Sequence, residues 1–204
     1  MTSEEFWGNI DTGKDWIRKE KIKYQDKGNL EAIPEILSWL KDKDFKSVLD
    51  IGSGTGRMIG AIHKIYPKLK CQGLDINPEL AKYVKKTHGI KVSVGDIYDI
   101  PLKDKSFDLV YTYQVLQHTP PDRMEKILKE IKRIAKKEIW LIEGWIDFQR
   151  YGYANGAMRH DAGGGTFYWK FDAFFKTYEE GFTQENEAHT ECIRYYKIKL
   201  ADNI

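Results

Sequence analysis

Val48-Leu49-Asp50-Ile51-Gly52-Ser53-Gly54-Thr55-Gly56 is the stretch from which the rest of the chain can be read. Val48, Leu49 and Ile51 make a short apolar run bounded by turn residues. That composition predicts a buried strand of a parallel sheet. An acid, Asp50, stands at its end, and Gly52, Gly54 and Gly56 follow at alternate positions. Without a Cβ, those positions let the backbone turn sharply and let a ligand lie against it. Arg57 to Tyr66 then carries Met58, Ile59, Ala61, Ile62 and Ile65 at helical spacing. Strand, glycine loop and helix in this order form a cradle for a nucleotide-containing cofactor.

The loop also discriminates among such cofactors. A dinucleotide fingerprint starting at Gly52 requires glycine at position 57, where Arg57 stands, and the Gly-Lys-Ser/Thr of a P-loop is absent. A carboxylate at the strand end repels a pyrophosphate and suits a cationic ligand. S-adenosylmethionine (SAM) has no phosphate and carries an ammonium and a sulfonium. In this form the stretch resembles the first motif of the class I SAM-dependent methyltransferases. Further segments extend the likeness from about Lys46 to Trp145. Gly73-Leu74-Asp75-Ile76 reads as a second strand, with Asp75 25 residues after Asp50. Gly95-Asp96-Ile97 follows a third strand, Lys91 to Val94. Phe107 to Tyr111 reads as a fourth, followed by Tyr113-Gln114-Val115-Leu116-Gln117-His118.

The resemblance implies roles for these residues. Gly52, Gly54 and Gly56 let the backbone approach the donor, and Asp50 serves the methionine ammonium, directly or through water. Asp75 takes the ribose hydroxyls, with Ile76 beside it. Asp96 takes the adenine amino group, and the backbone N–H of Ile97 meets the ring. Tyr113 lines the methyl-donor end. The bland alternative for a lone strand-end Asp is a cap or a turn. Three of them ending successive strands at one sheet edge favour a ligand site. The rival reading of the glycine loop, a nicotinamide dehydrogenase, predicts tighter binding of NAD than of S-adenosylhomocysteine.

Around this core the remaining elements fall in order. Trp16, Ile17, Ile22 and Tyr24 suggest an amphipathic helix, which reads either as packing on the domain edge or as a lid. Asn29 is placed to cap a helix carrying Ile33, Ile36, Leu37 and Leu40, regular from Pro34. Asn77-Pro78 starts another, closed by Gly89. Pro120-Pro121-Asp122 opens a long helix to about Lys136, and Glu138 to Glu143 reads as the fifth strand. Trp145 to Thr166 reads as an irregular substrate-covering segment hinged at Gly163-Gly164-Gly165, or as an ordinary surface excursion. Phe167 to Glu180 has helical spacing with Gly181 as its cap. Phe182 to His189 and Cys192 to Leu200 read as two closing strands. The expectation is a doubly wound α/β fold. It has a seven-stranded, mostly parallel sheet, helices on both faces and an antiparallel C-terminal hairpin. Residues 1–204 are read as one methyltransferase domain. It divides into a helical cap (1–45), a SAM-binding core (46–144), the covering loop (145–166) and a C-terminal helix and hairpin (167–204).

Composition bounds the function. With 33 basic and 31 acidic residues the net charge is only +2, which argues against a large non-specific nucleic-acid surface. No apolar run reaches the roughly 18 residues of a spanning helix, and the acidic start, Met-Thr-Ser-Glu-Glu, lacks a signal-peptide core. Cys71 and Cys192 read as buried free thiols in a reducing compartment, and metal-ligand spacing is absent. A cytoplasmic enzyme without a membrane partner is expected.

Methyl transfer is an in-line displacement in which orientation can supply about 7–11 kcal/mol. Three residues are candidates for handling a proton: His118 after the fourth strand, Glu143 at the end of the fifth and His160 in the long segment. Each has a plainer reading as a loop-orienting or lining residue. The acceptor expected is a small molecule methylated on oxygen or nitrogen, a metabolite or a sugar or glycan end. The alternatives are a protein or RNA methyltransferase, or a SAM-binding protein without turnover. Thr112-Tyr113-Gln114-Val115 stands where an amino-methylating Asn/Asp-Pro-Pro-Phe/Tyr motif would be, which lowers base and glutamine methylation.

Overall fold

The structure, a computed structural model, describes residues 3–23, 32–145, 157–160, 166–184 and 192–203. Its helices are α1 (Ser3–Gly8), α2 (Ile10–Lys23), α3 (Ala32–Leu40), α4 (Arg57–Ile65), α5 (Pro78–His88) and α6 (Met124–Ile134). Its strands are β1 (Ser47–Ile51), β2 (Lys70–Asp75), β3 (Lys91–Val94), β4 (Phe107–Tyr113), β5 (Ala135–Trp145), β6 (Ala157–His160), β7 (Thr166–Trp169), β8 (Glu179–Gln184) and β9 (Cys192–Lys199). Seven of them form one sheet in the order β3-β2-β1-β4-β5-β9-β8. β1 to β5 run parallel, while β9 is antiparallel to both β5 and β8. The expected doubly wound sheet with an antiparallel C-terminal hairpin is what the chain forms.

Period-two alternation divides the core. Leu49, Ile51, Val110, Ile139, Leu141, Tyr196 and Ile198 face α6 and the Trp169–Phe175 segment. Val48, Leu109, Tyr111, Trp140, Ile142 and Ile193 face α3 and α4, with Val84 of α5. Strands buried on both faces have to be apolar at nearly every position, which is why β1 and β4 were legible as unbroken runs. Local signals held where they were strong. Asn77 accepts hydrogen bonds from the N–H groups of Glu79 and Leu80, and Gly89 ends α5 at φ 71°. α3 begins at Ala32, two residues before Pro34, whose ring is tolerated in a first turn. Asn29 lies outside the described residues.

Three expectations need correction. Phe167 to Glu180 is not a helix: β7 gives way to a 3-10 turn at Phe171–Phe174 and then to β8. The aromatic spacing that looked helical serves extended chain, whose buried Phe171 packs edge-on against Tyr196. Gly181 therefore caps nothing. It lies in β8, where an added Cβ would come 2.6 Å from the Tyr195 hydroxyl. The segment 145–166 is not wholly irregular either: β6 and β7 form an antiparallel pair, Ala157 opposite Trp169 and His160 opposite Thr166. The glycine hinge proposed at 163–165 and residues 146–156 lie outside the described residues, as does 185–191, where the eighth strand was expected to continue.

Candidate active site

The glycine loop is folded over the end of β2 by backbone hydrogen bonds. Gly52 and Ser53 N–H both donate to the Leu74 carbonyl, at 2.7 and 3.0 Å. Gly52, Gly54 and Gly56 all have positive φ, 69°, 53° and 78°. The three serve different ends. A Cβ at Gly52 would overlap Val115, and one at Gly56 would overlap Val84 and His88. At Gly54 an added Cβ would meet nothing closer than the Gly52 carbonyl at 4.0 Å. Gly54 is thus the point of the loop with open space in front of it, the cradle that a ligand can approach and a side chain would fill.

Two carboxylates stand behind this opening. Asp75 accepts hydrogen bonds from Gly54 N–H at 2.7 Å and from Asn77 N–H at 2.8 Å, one on each oxygen. Burial pushes its carboxyl up to about 6 against those two bonds. Asp50 is buried against Tyr111 under the first turn of α4. Burial raises it to about 7, opposed by the Tyr111 hydroxyl and assisted by the neighbouring charge of Asp75. A cation brought to this pair would relieve both groups, so the donor set fits the ammonium of SAM. Asp96, half-buried, accepts from Tyr98 N–H at 2.9 Å, and Ile97 packs on the core beside it. The ring of Tyr113 lies 5.6 Å from the Arg57 guanidinium.

The turn after β4 holds the proton-handling candidates. Gln114 takes φ 55°, a rare conformation for a residue with a side chain, and its N–H donates to the Ile142 carbonyl at 2.8 Å. Sequence reasoning passed over it, since no local signal marks a strained glutamine. The buried Glu143 carboxylate accepts from Leu116 N–H at 3.0 Å and Gln117 N–H at 3.4 Å, which clamps the turn to β5. The Thr112 hydroxyl hydrogen-bonds to the same carboxylate, and His118 Nδ1 is buried without a hydrogen-bond partner. Burial raises Glu143 to about 7 and lowers His118 to about 4. His118 and Glu143 thus meet at one turn. His160 ends β6, and β7, its partner strand, packs beside that turn.

The N-terminal segment contributes a further part. Asn77 Nδ2 donates to the carbonyls of Trp7 and Asn9, 2.8 Å each. Trp7 also packs on His118, ring centroids 4.8 Å apart. Asn77 follows β2 and His118 follows β4, and β1 lies between those strands. The segment therefore passes over the end of β1, where the glycine loop is. The Asn-Pro pair was legible as a helix start. The second use of the Asn77 amide was not, because its partners lie about 70 residues away.

Residues 49–142 match the family described as a methyltransferase domain. Over that stretch the chain is similar to the class I SAM-dependent methyltransferases. Over 97 residues it is 37% identical to norajmaline N-methyltransferase of Rauvolfia serpentina, covering 44% of this chain and 32% of that protein. It is 28% identical over 93 residues to malonyl-acyl-carrier protein O-methyltransferase of Methylococcus capsulatus, covering 44% and 33%. The chain spans about a third of the length of these curated relatives. Its fold is also similar to a crystal structure of Burkholderia thailandensis 1,6-didemethyltoxoflavin-N1-methyltransferase with bound 1,6-didemethyltoxoflavin and S-adenosylhomocysteine. That likeness has a TM-score of 0.62 at 13% identity and covers 94% of this chain and 90% of the other. Among the described residues, no helix is long and apolar enough to cross a membrane.

Proposed function

We propose that this protein transfers the methyl group of SAM to an oxygen or nitrogen of a small-molecule acceptor. The observation that carries the reading is the open backbone at Gly54, backed by Asp75 and Asp50 and covered by the segment holding Trp7. When bound, SAM supplies a methyl carbon on a sulfonium, a leaving group that needs no further activation. Asp75 would hold the ribose hydroxyls through lone pairs not used by Gly54 and Asn77. Asp50 would act on the ammonium through the loop rather than by direct contact, because it is buried on the α3–α4 face of the sheet. Asp96 and the N–H of Ile97 would hold the adenine, and Ile76 and Tyr113 would wall the site.

His118 would face the acceptor. Its imidazole is neutral at physiological pH, with Nδ1 free of hydrogen bonds, so it accepts a proton only as the acceptor loses one. Glu143 would act through the turn it clamps, as a positioning residue for His118. The N-terminal segment on one side and the β6–β7 pair on the other, with His160 at its end, would exclude water from the transfer. A compact acceptor suits a site roofed in this way. The curated relatives are named for N-methyl transfer to norajmaline and for O-methyl transfer to malonyl-acyl-carrier protein.

The test has two steps. Thermal stability is measured with S-adenosylhomocysteine, with NADH and ATP as controls; ligand at 100 times its dissociation constant adds about 2.7 kcal/mol. The rise is expected with this ligand alone and is lost in Asp75→Ala. Radiolabelled SAM is then offered with a cell extract. Label in a small molecule supports the reading; label in protein or RNA, or none, replaces it with the corresponding alternative.

A further inference from the structure

The N-terminal segment is fitted closely to Asn77. Asn9 stands at the corner between α1 and α2. Its side chain accepts from Asp11 N–H at 2.8 Å, which starts α2, while its carbonyl and that of Trp7 receive the Asn77 amide. One turn on, Gly13 is buried inside α2. Glycine weakens a helix interior, and no positive φ calls for it here. Close approach explains it: an added Cβ would come 2.4 Å from Asn77 Oδ1. Asn77 cannot yield, because it is fully buried and the same oxygen caps α5. The docking of α2 on Asn77 is therefore written into the chain, at a position where helix propensity alone favours another residue.

That docking fixes where Trp7 lies. Its carbonyl is held by Asn77, and its ring packs on His118 at 51° to the imidazole. Phe6 and Trp16 back the indole, with ring centroids 5.0 and 5.6 Å away. Three elements meet the His118 turn. Glu143 of β5 engages its N–H groups, α1 carries Glu4 and Glu5 shortly before Trp7, and β7 carries no charged residue. Acids near an imidazole raise its proton affinity. That of His118 is lowered instead, to about 4, and the cause is burial. The indole lies on the ring and is part of that cover.

We propose that Trp7 is a positioning residue for His118: its indole holds the imidazole at the acceptor side of the site, and the docking of α2 on Asn77 brings it there. The role rests on the methyltransferase reading above and extends it, because one segment then serves both halves of the reaction. Asp75, assigned to the donor ribose, accepts from Asn77 N–H; Asn77 holds the Trp7 carbonyl; and the Trp7 ring packs on His118. A base contributes only while its nitrogen points at the departing proton, and a ring fixed on one face keeps that direction.

The experiment follows the His118 imidazole of the whole chain by NMR through its titration, with the signal assigned by its loss in His118→Gln. Trp7→Ala should raise the midpoint from about 4 toward the ordinary 6.5. Trp7→Phe, which keeps a ring, should stay near the parent. Gly13→Ala keeps the indole but lifts α2 from Asn77, and it should raise the midpoint as well. The same proteins are then given radiolabelled SAM and the small-molecule fraction of a cell extract. Trp7→Ala should lose at least about tenfold in initial rate, within the roughly 10²–10⁴ that a positioned base contributes, and Trp7→Phe should retain most of it. Affinity for S-adenosylhomocysteine should change little in Trp7→Ala, because Asn77 bonds the backbone carbonyls and not the ring. An unchanged His118 midpoint in Trp7→Ala overturns the proposal. So does a loss of S-adenosylhomocysteine affinity as large as the loss of rate, which makes Trp7 a cover for the donor. A parent that does not bind S-adenosylhomocysteine overturns the methyltransferase reading and this role with it; a parent that binds it, with an unmoved His118, overturns this role alone. Melting temperature shows that each variant is folded, and Gly13→Ala carries the test if Trp7→Ala does not fold.

Discussion

Gly54 and Gly52 separate binding from folding within one loop. At Gly54 alanine finds room but must hold φ near +53°, which costs about 1–2 kcal/mol. Gly54→Ala should therefore fold with a slightly lower melting temperature and lose the stabilisation by S-adenosylhomocysteine. Gly52→Ala drives a Cβ into Val115 and should lower the melting temperature much further. Parallel thermal scans with and without ligand check both. Asp50 is a second case in which identity was legible and state was not. A strand-end aspartate reads as a charge, yet burial raises it to about 7, so near neutral pH much of it carries a proton until a cation arrives. Glu143 was expected among the catalytic candidates, and its carboxylate engages the N–H groups of the turn that carries His118. Glu143→Gln keeps an acceptor for those bonds and should leave KM for SAM nearly unchanged. Glu143→Ala removes that acceptor, and its kcat should fall through displaced His118, as steady-state kinetics would show.

Asn77 ties two elements together with one side chain. Its oxygen caps α5 and its nitrogen holds the N-terminal segment at Trp7 and Asn9. Serine retains a capping oxygen but cannot reach the two carbonyls. Asn77→Ser should cost about 1–3 kcal/mol for the buried hydrogen bonds lost and should speed proteolysis within the first 23 residues. Limited proteolysis followed by mass spectrometry reads this directly; cleavage at the parent's rate would show that the segment is held by other contacts. The β7–β8 region makes the contrasting point. Phe171, Phe174, Phe175 and Tyr178 satisfy a helical period, but helix propensity is a weak prior and burial against Tyr196 settled the conformation.

The whole molecule carries a pH dependence that no single element predicts. Asp50 and Glu143 stand near 7 and Asp75 near 6, against ordinary values of 3.8 and 4.5. Between about pH 4 and 7 these groups hold more protons in the folded chain than in the unfolded one, so stability falls as pH rises. His118 works the other way: it is lowered from 6.5 to about 4, and its contribution is lost as pH falls through that window. Three groups oppose one. Without ligand, the protein should melt at a higher temperature at pH 5.5 than at pH 8, and Asp50→Asn should flatten the difference. Stabilisation by S-adenosylhomocysteine should run oppositely, larger at pH 8, where ionised Asp75 accepts from its ribose hydroxyls and the charge of Asp50 favours its ammonium through the loop. Calorimetry at the two pH values, with and without ligand, checks both signs.

The alternation of strands and helices, the glycine loop, the cap at Asn77 and the acids at successive strand ends were legible because each rests on residues close in the chain. A buried parallel strand must be apolar on both faces, a left-handed turn calls for glycine, and a helix start needs a capping oxygen. Those requirements write themselves into a few adjacent letters. The sheet order, β3-β2-β1-β4-β5-β9-β8, brings distant segments side by side, and only it placed the N-terminal segment over the end of β1. It also put Glu143 beneath the turn bearing His118. Burial then moved the proton affinities of Asp50, Glu143 and His118. Desolvation depends on everything packed around a group, which the group's neighbours in sequence do not specify.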